Sequence, residues 1–170
     1  TVSDNYSRKL LCCHGLASTA YVGVWPQFER LFTENGMPWG ILSDNGAPFA
    51  ARSLGGLSRL SKHFIDLGIR VERTNPGHPE QNGRHERMHR SLKAWLEGVE
   101  SMREALSVLQ ARFDAFMKEY NEERMHEGIG GAVPSALYRP SPREYSGRIV
   151  PYEYDSQAII RSVRQSGEIK

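Results

Sequence analysis

The chain has 170 residues, of which 39% are apolar and 25% charged, and its formal net charge is +2. That length suits one domain with a real core, and the ordinary composition excludes a disordered tail, a collagen-like chain and a small disulfide scaffold. No apolar run approaches a membrane span, no signal peptide is expected, and the two cysteines, Cys12 and Cys13, are adjacent. A reduced, cytosolic setting is therefore expected.

Thr1 to Leu16 reads as two strands around the turn Ser3-Asp4-Asn5-Tyr6-Ser7. Ser18-Thr19 is expected to cap a helix carrying Tyr21, Trp25, Phe28, Leu31 and Phe32, with Pro26 bending or delaying it and Gly36 closing it. Trp39 to Ser43 reads as a short buried strand running into Asp44-Asn45-Gly46. Leu54 to Leu67 reads as a second helix with Leu57, Leu60, Phe64 and Ile65 on its apolar face; Gly68 ends it. Ile69 to Thr74 alternates like a strand, Ile69 and Val71 inward, Arg70 and Glu72 outward.

After a Pro/Gly/Asn-rich loop to Gly83, a helix is predicted from Arg84 to about Val99 with Met88, Leu92, Trp95 and Leu96 buried. Another starts at Ser101 and runs through Leu106, Leu109, Phe113, Phe116 and Tyr120. The expected division is a core over 1–127, a Gly/Pro-rich linker over 128–148 and a truncated β module over 149–170 with a hairpin at Ser166-Gly167. This order of elements predicts an α/β core with a mixed sheet.

Asp44 stands at the end of a predicted strand, where α/β folds place ligands and where a carboxylate can hold a divalent cation. The same three residues also suit a plain Asp-Asn-Gly turn. Glu86, His89, Arg90 and Lys93 recur at i, i+3, i+4 and i+7 and share one helix face. An acid among bases there suits a metal beside a phosphate backbone, or a solvated face with a Glu86–Arg90 pair. His85-Glu86-Arg87-Met88-His89 also fits H-E-x-x-H, a zinc-hydrolase signature, but no well-placed third ligand follows it.

Two stretches, Ser43-Asp44-Asn45-Gly46-Ala47-Pro48-Phe49 and Asn75-Pro76-Gly77-His78-Pro79-Glu80-Gln81-Asn82-Gly83-Arg84-His85-Glu86-Arg87-Met88-His89-Arg90, resemble the integrase-core transposases of bacterial insertion sequences, relatives of retroviral integrases. Tyr120-Asn121-Glu122-Glu123-Arg124 and Pro134-Ser135-Ala136-Leu137-Tyr138 are similar to the tail of that core. The resemblance implies a ribonuclease-H-like mixed sheet flanked by helices. It also implies an Asp-Asp-Glu triad holding two Mg²⁺ or Mn²⁺ ions for DNA cleavage and strand transfer.

By position, Asp44 matches the second acid and Glu86 the third, with Asn82, Arg84, His89, Arg90 and Lys93 as DNA contacts. Asp44 and Glu86 leave 41 residues between them, whereas Glu80 would leave 35, the separation usual in the family. Glu86 is preferred because it follows the glycine on the helix. The first acid belongs on an opening strand upstream of a segment like Thr1 to Arg8. The expectation is that these residues lack it, so that the parent protein is an active recombinase and this stretch alone is not. DNA as partner, a homodimer or larger assembly, no membrane and a bacterial cytoplasm complete the expectations. The alternatives are a non-catalytic DNA-binding or assembly module and a zinc hydrolase using His85, Glu86 and His89.

Overall fold

The computed structural model describes residues 1–51, 56–75, 83–97, 106–149, 156, 157, 159 and 161. Strands β1 (Val2–Ser3) and β2 (Leu10–Cys12) pair antiparallel, with Val2 opposite Cys12. Asp4 closes the turn between them. Its Oδ2 accepts from the Ser7 N–H and the Ser7 hydroxyl, both at 2.7 Å, and Arg8 takes a left-handed φ of 67°.

Helix α1 (Tyr21–Asn35) buries Val24, Phe28, Leu31 and Phe32. The expected cap is corrected: Ala20 occupies the N-cap and no side chain caps the helix. Ser18 instead turns its hydroxyl to the Ala20 N–H at 3.3 Å, upstream of the first turn. Pro26 lies inside the helix without ending it, since the core-facing stripe continues on both sides. Gly36 ends it with φ 73°, and a Cβ there would lie 2.3 Å from the Ser141 carbonyl oxygen. Glycine is required on both counts.

Strand β3 (Gly40–Ser43) pairs parallel with β4 (Arg70–Arg73), Ile41 opposite Val71. Leu42 is 47% exposed, so β3 is half-buried rather than buried. Between them, α2 (Arg59–Asp66) starts later than its apolar pattern suggests. Ser58 takes the N-cap, accepting from the Ser61 N–H at 3.1 Å, which leaves Leu57 outside the helix in a bridge with Ala50. Leu60 and Phe64 carry the burial, while Leu57 and Ile65 are about half exposed. The alternation expected along 69–74 holds: Ile69 is buried and Arg70 and Glu72 are exposed.

Helix α3 (Gly83–Trp95) follows, then α4 (Leu106–Lys118), a π-helical turn (Glu119–Glu123) and the short α5 (Pro134–Leu137). The expected helix start at Ser101 and the hairpin at Ser166-Gly167 lie outside the described residues. Trp95, expected in the buried stripe, is 45% exposed, although its ring sits 6.0 Å from that of Phe116.

Two cores result. Phe28, Phe32 and Phe64 centre the first, with Leu31, Leu60 and Ile69 around them. Leu10, Cys13, Met88, Phe116 and Tyr120 form the second, which seats α3 against β2. Both cysteines are free and buried, and burial pushes the Cys13 thiol up to about 11. A buried, neutral thiol of that kind behaves as a small apolar group.

Two polar devices tie these parts together. Asn121, buried, accepts from the Leu10 N–H at 2.8 Å and donates to the Leu10 carbonyl at 2.9 Å, pairing with β2 as a neighbouring strand would. Arg143 donates to the carbonyls of Pro38, Leu67 and Gly68 at 2.7, 3.0 and 3.3 Å and lies over the Trp39 ring. Ser141 N–H donates to Asn35 O and Met37 N–H to Arg143 O, so this part of the 128–148 segment is strapped to the end of α1.

Candidate functional site

Asp44 lies directly after β3, exposed. Its Oδ1 accepts from the Gly46 N–H at 3.0 Å, and the Asn45 side-chain amide donates to the Thr74 carbonyl at 2.8 Å, beyond the end of β4. The turn is thus anchored to both strands, and Phe49 fixes its far side in the core, 6.3 Å from the Phe28 ring. The turn geometry occupies one carboxylate oxygen of Asp44 and leaves the other to solvent-side chemistry.

Glu86 sits on the first turn of α3, exposed, as are Arg90 and Lys93. Met88, 2% exposed, anchors the opposite side of that helix in the second core, which turns Glu86, Arg90 and Lys93 outward. Among the described residues the ion pairs are Lys62–Asp66 and Arg70–Glu72, so the expected Glu86–Arg90 pair does not form. Asn82 and Glu80 lie outside the described residues.

The two histidines, His85 and His89, share a hydroxyl partner. Their ring centroids are 4.5 Å apart, and the Nε2 atoms of both meet Thr1 Oγ1, at 2.9 Å for His85 and 2.7 Å for His89. Ser3 Oγ adds a contact to His85 Nδ1 at 3.4 Å. Burial, with help from His89 and the N-terminal amino group and against the charge of Asp44, lowers the His85 pKa to about 4. His89 is lowered too, first by burial.

This has a consequence for stability. Between pH 4 and 6.5 the unfolded chain protonates His85 and the folded chain does not, so stability falls as pH drops through that window and is full above it. Allowing for partial exposure of the ring, the loss is about 1–2 kcal/mol. Urea unfolding at pH 4.5 and 7 is expected to show it, and His85→Gln to reduce the difference.

Among the described residues no group of three or more His, Cys, Asp or Glu could hold a metal. The zinc arrangement therefore lacks its third ligand there: His85 and His89 are neighbours, but Glu86 is turned out to solvent. Two exposed carboxylates, Asp44 and Glu86, are the hard oxygen donors that suit Mg²⁺ or Mn²⁺ rather than zinc.

Arg84 is separated from the Glu86 stripe. It lies about 160° around the helix from Glu86 at 100° per residue, and its Nη1 donates to Asn5 Oδ1 at 2.8 Å. Sequence reasoning grouped it with Arg90 and Lys93; the helix period alone separates it. The role of Asn121 has no local signal, because its contact with Leu10 crosses 111 residues of chain.

Two comparisons with known proteins bear on the family and the fold. Residues 67–134 match the family described as the integrase core domain, a span holding Glu86, His89, Arg90 and Lys93 but not Asp44. The fold is similar to the catalytic core domain of BIV integrase, with a TM-score of 0.53 and 25% sequence identity over 72% of this chain and 73% of that one. No helix among the described residues is long and apolar enough to cross a membrane. With its mixed α/β architecture, a stretch around α3 that matches the integrase core domain and a similar core fold, the chain resembles the integrase cores.

Proposed function

We propose that the protein is the catalytic core of a DNA transposase, of the kind found in bacterial insertion sequences, and that it cuts and joins DNA at Asp44 and Glu86. The observation that carries this is the placement of one acid directly after β3 and another on the first turn of α3, both exposed. Asp44 and Glu86 would hold Mg²⁺ or Mn²⁺. When bound, such ions activate the attacking oxygen and stabilise the leaving one in phosphoryl transfer.

The chain's own residues supply position and charge. Asn45 and Gly46 fix the Asp44 carboxylate, and Met88 fixes the face of α3 that presents Glu86. Arg90 and Lys93, exposed on the same stripe, attract the phosphate backbone and hold the scissile strand beside the acids. His85 and His89, neutral and hydrogen-bonded to Thr1, support the wall of the site rather than neutralise phosphate. Asn82 completes the expected DNA contacts by position. Two copies or more, each on one element end, would make the working assembly.

These 170 residues match two acids of the triad that the resemblance implies. A polypeptide of these residues alone is therefore expected to bind DNA and metal without joining strands. Fluorescence anisotropy with a labelled duplex tests the DNA reading. Binding is expected to weaken steeply with salt, and Arg90→Ala and Lys93→Ala each to lower the slope of log K against log[salt] by about 0.9. Salt-independent binding, or none, would contradict it.

A further inference from the structure

We propose that a second face of the domain, built from Arg8, Arg84, Arg87 and Arg124, binds the phosphate backbone of duplex DNA separately from the Glu86 stripe. This rests on the reading of the protein as one that processes DNA, and adds a surface that reading does not require.

The four arginines come from three elements. Arg8 closes the β1–β2 turn, Arg84 and Arg87 stand one helical turn apart on α3, and Arg124 follows the π-helical turn. Arg8 and Arg84 both donate to the carbonyl oxygen of Asn5, so two like charges converge on one neutral acceptor. Arg124 lies over the Tyr120 ring, 5.8 Å from its centre. The nearby Asp4 carboxylate is engaged by the Ser7 N–H and hydroxyl. Glu119, Glu122, Glu123 and Glu127 share the neighbouring segment, yet none of them forms an ion pair with these guanidiniums among the described residues.

Crowding of this kind is unfavourable without an anion. Burial lowers the Arg8 pKa first, Arg84 and Arg87 lower it further, and Tyr120 and Asp4 act to raise it. A concavity of about 630 Å³ opens beside the cluster, lined by Arg8 and Arg84 together with Asp4, Asn5, Tyr6 and Ile129. Guanidinium forks match phosphate oxygens in geometry as well as charge. Their spread over three elements suits a row of phosphates better than a single anion. Since Arg84 lies far around α3 from Glu86, one duplex segment at the acids and another here need not overlap.

The test is anisotropy of a labelled duplex across a salt series, on the wild-type chain, on the triple variant Arg84→Ala/Arg87→Ala/Arg124→Ala and on the corresponding triple lysine variant. Arg8 is left intact because it shapes the turn. Circular dichroism melting checks that all three are folded. The alanine triple is expected to lower the salt slope by about 2.7, at about 0.9 per lost contact, and to weaken binding at least about tenfold near 0.1 M salt. The lysine triple should keep the slope. A wild-type slope in the alanine triple overturns the second face and leaves the DNA reading standing. A loss that lysine does not restore overturns it too, because charge is then not the cause. Absence of DNA binding by the wild-type chain overturns both.

Discussion

Asp44→Asn is expected to weaken Mn²⁺ binding by at least about tenfold, and Glu86→Gln to do the same, in isothermal titration or by the spin-resonance signal of free Mn²⁺. The asparagine is close to isosteric, and its Oδ1 can still accept from the Gly46 N–H that Asp44 engages at 3.0 Å. The turn, its tie from Asn45 to Thr74 and the core contact of Phe49 all remain. What disappears is a negative charge next to the ion, which hard cations need far more than shape. Glu86→Gln makes the same change on α3, at an exposed position whose loss does not touch the core. Asp66→Asn serves as the control, since that acid pairs with Lys62 on α2. Equal Mn²⁺ affinity in all four proteins would contradict the assignment of the two carboxylates.

Phe64→Ala is expected to cost about 3–5 kcal/mol, read as a shift of the urea midpoint. Phe64 is fully buried, with ring centroids 4.9 Å from Phe28 and 6.1 Å from Phe32. Truncation removes the apolar burial and leaves a cavity that the two packed aromatic neighbours cannot collapse. Domains of this size hold about 5–15 kcal/mol in total, so the variant stands near the limit of folding. The site suffers with it: Phe28 also packs against Phe49, and Phe49 anchors the Asp44 turn. Val22→Ala, at a position 79% exposed, is expected to stay within about 0.5 kcal/mol.

Much of the frame is legible in the sequence because its signals are local. Alternation along Ile69 to Arg73 comes from a strand with one face inward, and the spacing of Phe28, Leu31 and Phe32 from a helix with one buried stripe. The Asp44 turn and the Glu86 stripe are equally local, one fixed by Asn45-Gly46 and the other by the helix period. What periodicity misses is competition over a few residues. Ser58 caps α2 and ejects Leu57 from it, although Leu57 fits the apolar pattern; Ser18 spends its hydroxyl on Ala20 and caps nothing. What no local signal holds is contact across the chain. Asn121 reads as a polar residue near a helix end until its amide is seen paired with both backbone groups of Leu10. Arg143 likewise looks like one more charge in a Pro-rich stretch, yet it satisfies three carbonyls from two other loops.

The histidines show the same limit in chemical terms. From H-E-x-x-H spacing, a zinc pair and a charged DNA contact are both open. The structure gives each ring a hydroxyl partner in Thr1 and enough burial to lower its proton affinity. Hydroxyl partners and burial of this kind cannot be read from the H-E-x-x-H spacing, because Thr1 lies more than 80 residues away in sequence.

A crystal structure of the chain soaked in Mn²⁺, with the ion placed by its anomalous scattering, tests the proposed site most directly. The ion is expected between the carboxylates of Asp44 and Glu86, at oxygen distances of about 2.0–2.3 Å. An ion held by Glu80 and Asp44 would replace the third acid, and one clasped by His85 and His89 with no carboxylate from Asp44 would contradict the DNA-transferase mechanism.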